Sequence, residues 1–268
     1  MEYHSDRFID ASYLILKKGN VVAVLPANSV SDIIYSHQGL SYGGLILKPS
    51  LKLNDVILIF EALLNQLYKD GFKTLDLKFI PDFYALQSTN DLKYLSHILH
   101  AELYRRDVLS VLDLKYPLPY NSSTKQAIKQ AEALSLEVKE VEEIKSFWNE
   151  LLIPNLEKRH KTRPVHSISE MEKLKQLFPF NIRQFNVYNN ETLIAGCTVF
   201  ETKTTAHVQY IAGSAVKSER VAIDYLHHYI ISRVFNEKEF FDFGASTINN
   251  GKNINEGLLF WKERFGAR

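Results

Sequence analysis

Hydrophobic residues in the first 118 positions follow two spacings, which together predict strands and helices. Residues 13–27 form two apolar runs around Lys18-Gly19-Asn20, the pattern of two strands joined by a tight turn. From residue 54 apolar side chains recur every three or four positions up to Gly71, which predicts an amphipathic helix. The mixture of strands and helices predicts α/β layering. The other elements predicted in this half are strands over 43–48, 73–80 and 107–116 and a helix over 91–100.

A second alternation of helices and strands follows residue 118. Prolines and small polar residues over 116–124 separate the halves, so we predict one domain over 1–118 and another over 119–268. Two helix starts have the spacing of a capping box, Ser123 with Gln126 and Ser167 with Glu170. The other elements predicted are a helix from 144 that Pro154 bends or ends, strands over 182–188, 192–203, 206–213 and 239–244, and helices over 219–234 and 257–264.

The composition is that of an ordinary folded protein. The chain has 268 residues, of which 46% are hydrophobic and 24% charged, enough for one large or two modest domains. A net charge of +1 gives no overall field that would favour nucleic acid or an anionic membrane. The first ten residues lack an apolar signal core, and no run approaches the roughly 18 apolar residues of a membrane span, so we expect a cytoplasmic protein. The single cysteine, Cys197, lies in an apolar run and is expected to be a buried small residue.

Three segments carry a resemblance to a known family. They are SHQGLSYGGL (36–45), HKTRPVHS (160–167) and FDFGASTINNGKNINEGLLFWKERFGAR (241–268). With the repeated order of elements they cover nearly the whole chain, which resembles the FemAB-like branch of the GNAT acyltransferase superfamily. The resemblance implies two tandem GNAT-like domains of α/β (α+β) class, with mixed sheets flanked by helices. It also implies that strands 206–213 and 239–244 splay apart and hold an acyl donor between them.

The resemblance implies acetyl-CoA, or another acyl-CoA, as the donor. In GNAT proteins a glycine-rich loop before a helix holds the pyrophosphate through backbone N–H groups. The corresponding segment, GSAVKSERVA, keeps the first glycine but lacks the paired glycines that follow it in the family. FemAB-like relatives that use aminoacyl-tRNA also lack an intact loop, so the sequence leaves the donor open. The candidate donor-binding residues are Gly213, Ser214, Ser218, Glu219 and Arg220.

The basic segment after residue 156 contains the first candidates for chemistry. Acyl transfer needs an acceptor that loses a proton and a donor carbonyl that hydrogen-bond donors polarise. His166 is a candidate base because imidazole exchanges protons near neutral pH. His160 and Arg163 are candidates for binding an anionic substrate group. The alternative is a solvated basic loop in which one histidine caps a helix. No His or Cys spacing is typical of a metal site, so no metal is expected.

The strand predicted to splay and the helix after it supply three more candidates. Gln209 and Tyr210 either orient a substrate or serve as an edge residue and a core residue. Asp224 lies in the first turns of the helix, on a stripe that is otherwise apolar or aromatic. It either acts in catalysis by binding an acceptor amine or simply favours the helix dipole.

Two polar stretches complete the candidate site. Ser246, Asn255 and Lys262 follow the last predicted strand, where α/β folds place ligands, although such residues also suit turns for local reasons. His37 (substrate binding) and Tyr42 (catalysis) would bring the first domain to the cleft. In the alternative reading, the glycines around them only permit close strand contact.

These observations lead to three functional hypotheses. The first is an acyltransferase that moves an acyl group to an amine or hydroxyl of a small or cell-envelope precursor, such as a nucleotide-linked sugar for polysaccharide biosynthesis. The second is an aminoacyl-tRNA-dependent ligase that builds peptidoglycan cross-bridges. It ranks lower because the chain has no sustained heptads of the kind that form long coiled-coil arms. The third is a non-catalytic ligand-binding module with a degenerate CoA loop.

Overall fold

The computed structural model describes residues 6–85, 90–214 and 219–268. Its contacts divide the chain into two compact units, Met1–Leu103 and Tyr104–Arg268. Each unit has a mixed sheet flanked by helices, so the predicted fold class is confirmed. None of the helices in these ranges is long and apolar enough to cross a membrane.

In the first unit, two small sheets share an apolar core with two helices. One sheet has the strand order β1-β4-β5-β7, with β5 and β7 parallel, and the other has the order β2-β3-β6. The elements are β1 (Ile9–Asp10), β2 (Tyr13–Lys17), β3 (Asn20–Leu25), β4 (Asn28–Val30), β5 (Ile33–Tyr35), β6 (Ile46–Leu47), α1 (Leu53–Lys69), β7 (Thr74–Asp76) and α2 (Asn90–Ile98). Both predicted helices and the first predicted hairpin are present, whereas the strands predicted over 43–48 and 73–80 shorten to two and three residues.

The glycines of residues 36–45 serve close contact between backbone segments. A Cβ at Gly43 would overlap the carbonyl oxygen of Ser36, and one at Gly44, where φ is +108°, would overlap that of Lys78. The backbone N–H of Lys78 donates to the Ser36 hydroxyl at 2.6 Å, and the Lys78 ammonium donates to the carbonyl of Leu40 at 2.8 Å. The segment is therefore folded tightly against the end of β7.

The second unit is built on one six-stranded sheet in the order β8-β13-β12-β11-β10-β9, in which β12 and β13 are parallel and every other pairing is antiparallel. Its core lies mainly between the sheet and α3 and α6. The elements are β8 (Leu109–Asp113), α3 (Ser122–Ala133), β9 (Glu137–Val141), α4 (Ile153–His160), α5 (Ile168–Leu177), β10 (Ile182–Asn189), β11 (Thr192–Glu201), β12 (Thr205–Gly213), α6 (Glu219–Tyr229), β13 (Phe240–Ala245), β14 (Thr247–Ile248), β15 (Asn253–Ile254) and α7 (Glu256–Glu263).

Two wide helical turns depart from regular α-helix in this unit. Phe147–Leu152 forms a π-helical turn that runs directly into α4, and Ile230–Val234 forms another at the end of α6. Pro154 lies directly after the π-helical turn, in the first turn of α4, and the helix continues past it to His160. The proline therefore does not end the predicted helix.

Two details of the sequence-based prediction differ from the structure, and a third agrees with it. The structure divides the chain after Leu103 and not after residue 118, because β8 pairs with β13 and so belongs to the second sheet. The predicted capping box of Ser123 and Gln126 is wrong, since the helix begins two residues earlier and Asn121 caps it by accepting the N–H of Thr124 at 2.9 Å. The second predicted capping box, Ser167 with Glu170, is confirmed.

Candidate active site

The parallel strands β12 and β13 separate part of the way along their length. Their ladder joins three residue pairs in the described chain, from Thr205 with Phe240 to His207 with Asp242. Beyond that point β12 continues to Gly213 while remaining paired with β11 on its other side. The strands therefore form a V that opens toward Gly213, which confirms the predicted splay. Backbone groups that line such an opening can bind a ligand as an added strand would.

A histidine and a tyrosine form a hydrogen-bonded pair beside β12. The Nδ1 atom of His166 lies 2.6 Å from the Tyr210 hydroxyl, and the backbone N–H of His166 also points to that oxygen at 3.4 Å. Tyr210 is 9% exposed, whereas His166 is half-buried. A phenol and an imidazole at this distance can share and pass on a proton. The structure thus brings together two of the residues predicted from sequence.

The π-helical turn at Phe147–Leu152 packs against the tyrosine of this pair. The ring of Trp148 packs edge-on against Tyr210 with centroids 5.0 Å apart. Trp148 is fully buried, and its indole N–H has no hydrogen-bond partner among the described residues. Beside it, Phe147 packs over Gly196, where a Cβ would approach its ring to 2.5 Å. π-helical turns often occur at functional sites, a signal that hydrophobic periodicity does not reveal.

Lys262 lies at the start of the V in a buried position. It is 2% exposed, and its ammonium donates to the carbonyls of Gly244 at 2.8 Å and Ala245 at 2.7 Å. Burial lowers the pKa of Lys262 to about 8, and the nearby carboxylate of Asp242 opposes this change. The side chain can therefore exchange a proton close to neutral pH. A predicted substrate-binding lysine is in this way placed at the start of the opening.

Asp224 is held by hydrogen bonds to two residues of the C-terminal segment. It is fully buried, with the Trp261 indole N–H donating to Oδ1 at 2.8 Å and Arg264 Nη2 donating to Oδ2 at 2.6 Å. Both carboxylate oxygens therefore fasten α7 to α6. This geometry favours a structural role for Asp224 over the predicted catalytic one.

The other candidates on β12 and just after it have mixed roles. Gln209 is half-buried at a bulge in the pairing of β12 with β11. The carbonyl of Gly213 accepts a 2.9 Å hydrogen bond from the Asn155 amide, and the N–H of Ser214 donates to Ile194 at 2.8 Å. The Ser214 hydroxyl is buried and has no partner among the described residues. Gly213 and Ser214 thus lie at the open end of the V, as the donor-binding prediction requires.

Ser246 and Asn255 build the turn between β13 and α7. The buried Ser246 hydroxyl lies 3.1 Å from that of Ser110, and its carbonyl accepts the N–H of Asn255 at 2.8 Å. Asn255 caps α7 by accepting the N–H of Leu258 at 3.1 Å. These contacts favour the local, turn-forming reading of both residues.

The basic segment is exposed. Arg163 pairs with Glu157 at 3.0 Å, although its side chain remains 82% exposed. With Lys161 and Thr162 these residues line a shallow depression of about 420 Å³ on the surface. Four predicted positions lie outside what the structure describes, namely the residue Ser218 and the side chains of His160, Glu219 and Arg220.

His37 and Tyr42 lie in the first unit. His37 is fully buried at φ +121°, accepts the N–H of Gly39 at 3.1 Å and contacts the ring of Phe8 edge-on. Tyr42 packs against Tyr84 with ring centroids 4.6 Å apart. Their contribution to a cleft with the second unit stays a prediction.

Metal and thiol chemistry have little support in the described ranges. Within residues 6–85, 90–214 and 219–268, no three His, Cys, Asp or Glu side chains gather as a metal site. Cys197 is fully buried, and burial raises the pKa of its thiol, so this sulfur stays protonated.

Comparison with solved structures identifies the fold. FemX superposes with a TM-score of 0.71 at 11% identity, covering 100% of this chain and 87% of FemX. The C-terminal domain (DUF2156) of a putative lysylphosphatidylglycerol synthetase from Agrobacterium fabrum gives 0.60 at 13% identity, with 96% of this chain and 81% of that one covered. L-PGS from Bacillus licheniformis gives 0.59 at 10% identity, with coverages of 97% and 81%. No family model and no curated protein matches the sequence. These likenesses show that the chain shares the overall fold of these proteins.

Proposed function

We propose that the protein is an acyltransferase whose donor lies in the V between β12 and β13. The observation that carries the proposal is the separation of these strands after His207 and Asp242, with Tyr210 on β12 beyond that point and hydrogen-bonded to His166. The opening supplies backbone hydrogen-bond groups for an extended ligand, and the pair supplies a proton acceptor beside it.

The chemistry assigned to the residues is a direct transfer. As the acceptor nitrogen or oxygen bonds to the acyl carbon, it loses one proton, which the His166 and Tyr210 pair receives. The bond between the acyl carbon and the leaving sulfur or oxygen breaks, and the leaving atom takes up a proton. We assign the supply of that proton to Lys262, whose pKa burial lowers to about 8 and whose ammonium contacts β13 just after the strands separate. No covalent enzyme intermediate is needed.

An acyl-CoA, acetyl-CoA in the first instance, is the proposed donor. Gly213 and Ser214 at the open end of the V would contact it, and one such group is the buried Ser214 hydroxyl, which has no partner within residues 6–85, 90–214 and 219–268. The exposed cations around Arg163 support an anionic acceptor, such as a nucleotide-linked sugar of the cell envelope.

An aminoacyl-tRNA donor is the second candidate. The segment GSAVKSERVA lacks the paired glycines that a CoA pyrophosphate would use. One structural neighbour bears the name lysylphosphatidylglycerol synthetase, which denotes an amino acid joined to another molecule. Binding that weakens steeply with salt would support the tRNA donor.

The test combines binding and turnover. We expect acetyl-CoA to bind the wild-type protein in calorimetry, and thiol release from it to depend on an added amino-sugar acceptor. Because proton transfer by a positioned side chain contributes about 10²–10⁴-fold, His166→Ala and Tyr210→Phe should slow thiol release by about that factor with little change in acetyl-CoA affinity.

His97→Asn and Tyr68→Phe are matched controls, since both residues are exposed and lie in the first unit. They should leave turnover unchanged. No heat and no thermal stabilisation with acetyl-CoA at millimolar concentration would exclude the CoA donor. Binding without turnover for any acceptor or for charged tRNA would favour a ligand-binding module.

A further inference from the structure

The last residue pair before β12 and β13 separate is also joined through its side chains. His207 on β12 lies directly opposite Asp242 on β13, and Nδ1 of His207 is 2.9 Å from Oδ2 of Asp242. The aspartate side chain is fully buried, and that of the histidine is 13% exposed. An ionised carboxylate can only accept, so the imidazole carries a proton on Nδ1. The side-chain bond thus ties the strands together at the point where their backbone ladder ends.

The same carboxylate also holds the bend of β13. Its second oxygen, Oδ1, accepts the N–H of Gly244 at 2.7 Å. Gly244 has φ +77°, and the register of β13 against β8 shifts between Asp242 and Ala245. A side chain that accepts the N–H of the second residue after it stabilises a local turn. Asp242 therefore fixes the place at which β13 turns away from β12.

Lys262 completes the connection from the other side. Its ammonium binds the carbonyls of Gly244 and Ala245, the two residues that follow the bend. A continuous chain of hydrogen bonds thus runs from His207 through Asp242 and Gly244 to Lys262. It links β12, β13 and α7 in a buried environment where each bond is strong and an unmade one is costly.

We propose that His207 and Asp242 are a positioning pair that sets where the two strands separate and holds the amine of Lys262 at the start of the V. This role rests on the proposed function only in so far as the V is the site of transfer. The pair does not itself touch the reacting atoms.

The effect of Asp242 on Lys262 can be measured through the pKa of the lysine. The Asp242 carboxylate favours the charged amine, whereas burial opposes it, and burial dominates. His207 is linked to the amine through Asp242 by the chain of hydrogen bonds described above. Among the described residues, Lys262 also interacts with His227 on α6, whose pKa burial lowers to about 4, so this imidazole is neutral at pH 7. Removing the charge of Asp242 should therefore lower the pKa of Lys262 further.

The experiment uses the full chain with ¹³C-labelled lysine and no substrate. The Lys262 signal is assigned by its loss in Lys262→Arg and titrated by NMR, and amide hydrogen exchange at Gly244 is followed in parallel. Asp242→Asn should lower the pKa of Lys262. His207→Phe should speed Gly244 exchange about tenfold or more by removing the bond that holds the bend. His207→Asn, whose side-chain nitrogen can occupy the place of Nδ1, should restore slow exchange.

Glu201→Gln is the matched control, because Glu201 also pairs with a lysine, Lys238 at 2.8 Å, in the same sheet. It should change neither readout. An unchanged Lys262 pKa in Asp242→Asn, or fast Gly244 exchange in His207→Asn, would overturn the proposal even if His207→Phe fails to fold. Since neither readout needs turnover, a failed transfer assay would reject the proposed function and leave this result in place.

Discussion

At the scale of single residues, long-range partners decide what a polar side chain does. In the sequence, Asp224 and Tyr210 each have a functional reading beside a structural one. The structure gives Asp224 two donors, Trp261 on α7 and the buried Arg264 just after it, whereas it gives Tyr210 a half-buried histidine beside an opening. The hydrogen-bond partners also distinguish two predicted substrate-binding residues. Lys262 binds carbonyls at the start of the V, whereas Asn255 caps a helix.

The buried pair of Asp224 and Arg264 gives a stability prediction. Asp224→Ala removes one partner and leaves a guanidinium that is 2% exposed without its counter-charge. We expect a loss of about 3–5 kcal/mol in the free energy of unfolding, measured with urea.

Asp32→Ala is the control, because Asp32 pairs with Lys73 at the surface and should cost no more than about 1 kcal/mol. Equal and small losses for the two variants would contradict the structural assignment. A loss of transfer rate without a loss of stability in Asp224→Ala would restore the catalytic one.

At the scale of elements, close backbone approach explains the glycines of residues 36–45. Gly43→Ala would force a Cβ into the carbonyl oxygen of Ser36, so the backbone within residues 36–45 must rearrange. We expect a loss of about 1–3 kcal/mol in the free energy of unfolding. Gly257→Ala is the control, since the nearest atom to its Cβ would lie 3.9 Å away. Two variants of equal stability would show that the segment is not packed as described.

Elements with a long periodic pattern could be predicted from the sequence, and short ones could not. Helix α1 and strands β10 to β12 match their predicted ranges closely, because their apolar faces are long enough to define a period. Strands β6 and β7 are shorter than predicted, since pairing with neighbours and not hydrophobicity sets their ends. The cap at Asn121 shows the same limit, because several nearby residues have capping side chains.

At the scale of the whole molecule, the sequence predicted the fold class and the splayed strands, and it missed the residues that shape the opening. His207, Asp242 and Trp148 have no local motif. Their roles come from pairing across strands and from a π-helical turn, neither of which a single sequence displays. The division after Leu103 was missed because β8 joins a sheet whose other strands follow it in the chain.

A buried histidine should make the stability of the protein depend on pH. Burial lowers the pKa of His227 from 6.5 to about 4, so between these values the unfolded chain binds a proton that the folded one rejects. The contribution of the neutral His227 imidazole to the free energy of unfolding is fully present above pH 6.5. It falls by about 3 kcal/mol in all as the pH drops toward 4.

The measurement is the free energy of unfolding at pH 7.5 and pH 4.5, compared between the wild-type protein and His227→Phe. Phenylalanine suits the surrounding rings of Phe243, Trp261 and Phe265. The variant should lose less stability on acidification. Parallel losses in both proteins would show that His227 is accessible to protons in the folded state.

The π-helical turn at Phe147–Leu152 has a consequence for how the chain tolerates length changes. A wide turn holds one residue more than a regular α-helix over the same rise, and one residue corresponds to about 100° of rotation. Deleting Asn149 would convert the turn to α-helix and rotate Phe147 and Trp148 away from Gly196 and Tyr210 while leaving α4 in phase. A single-residue deletion here would therefore change the rotation of the first part of the helix relative to the second. We expect homologous chains to keep the length of this segment even where they change its residues.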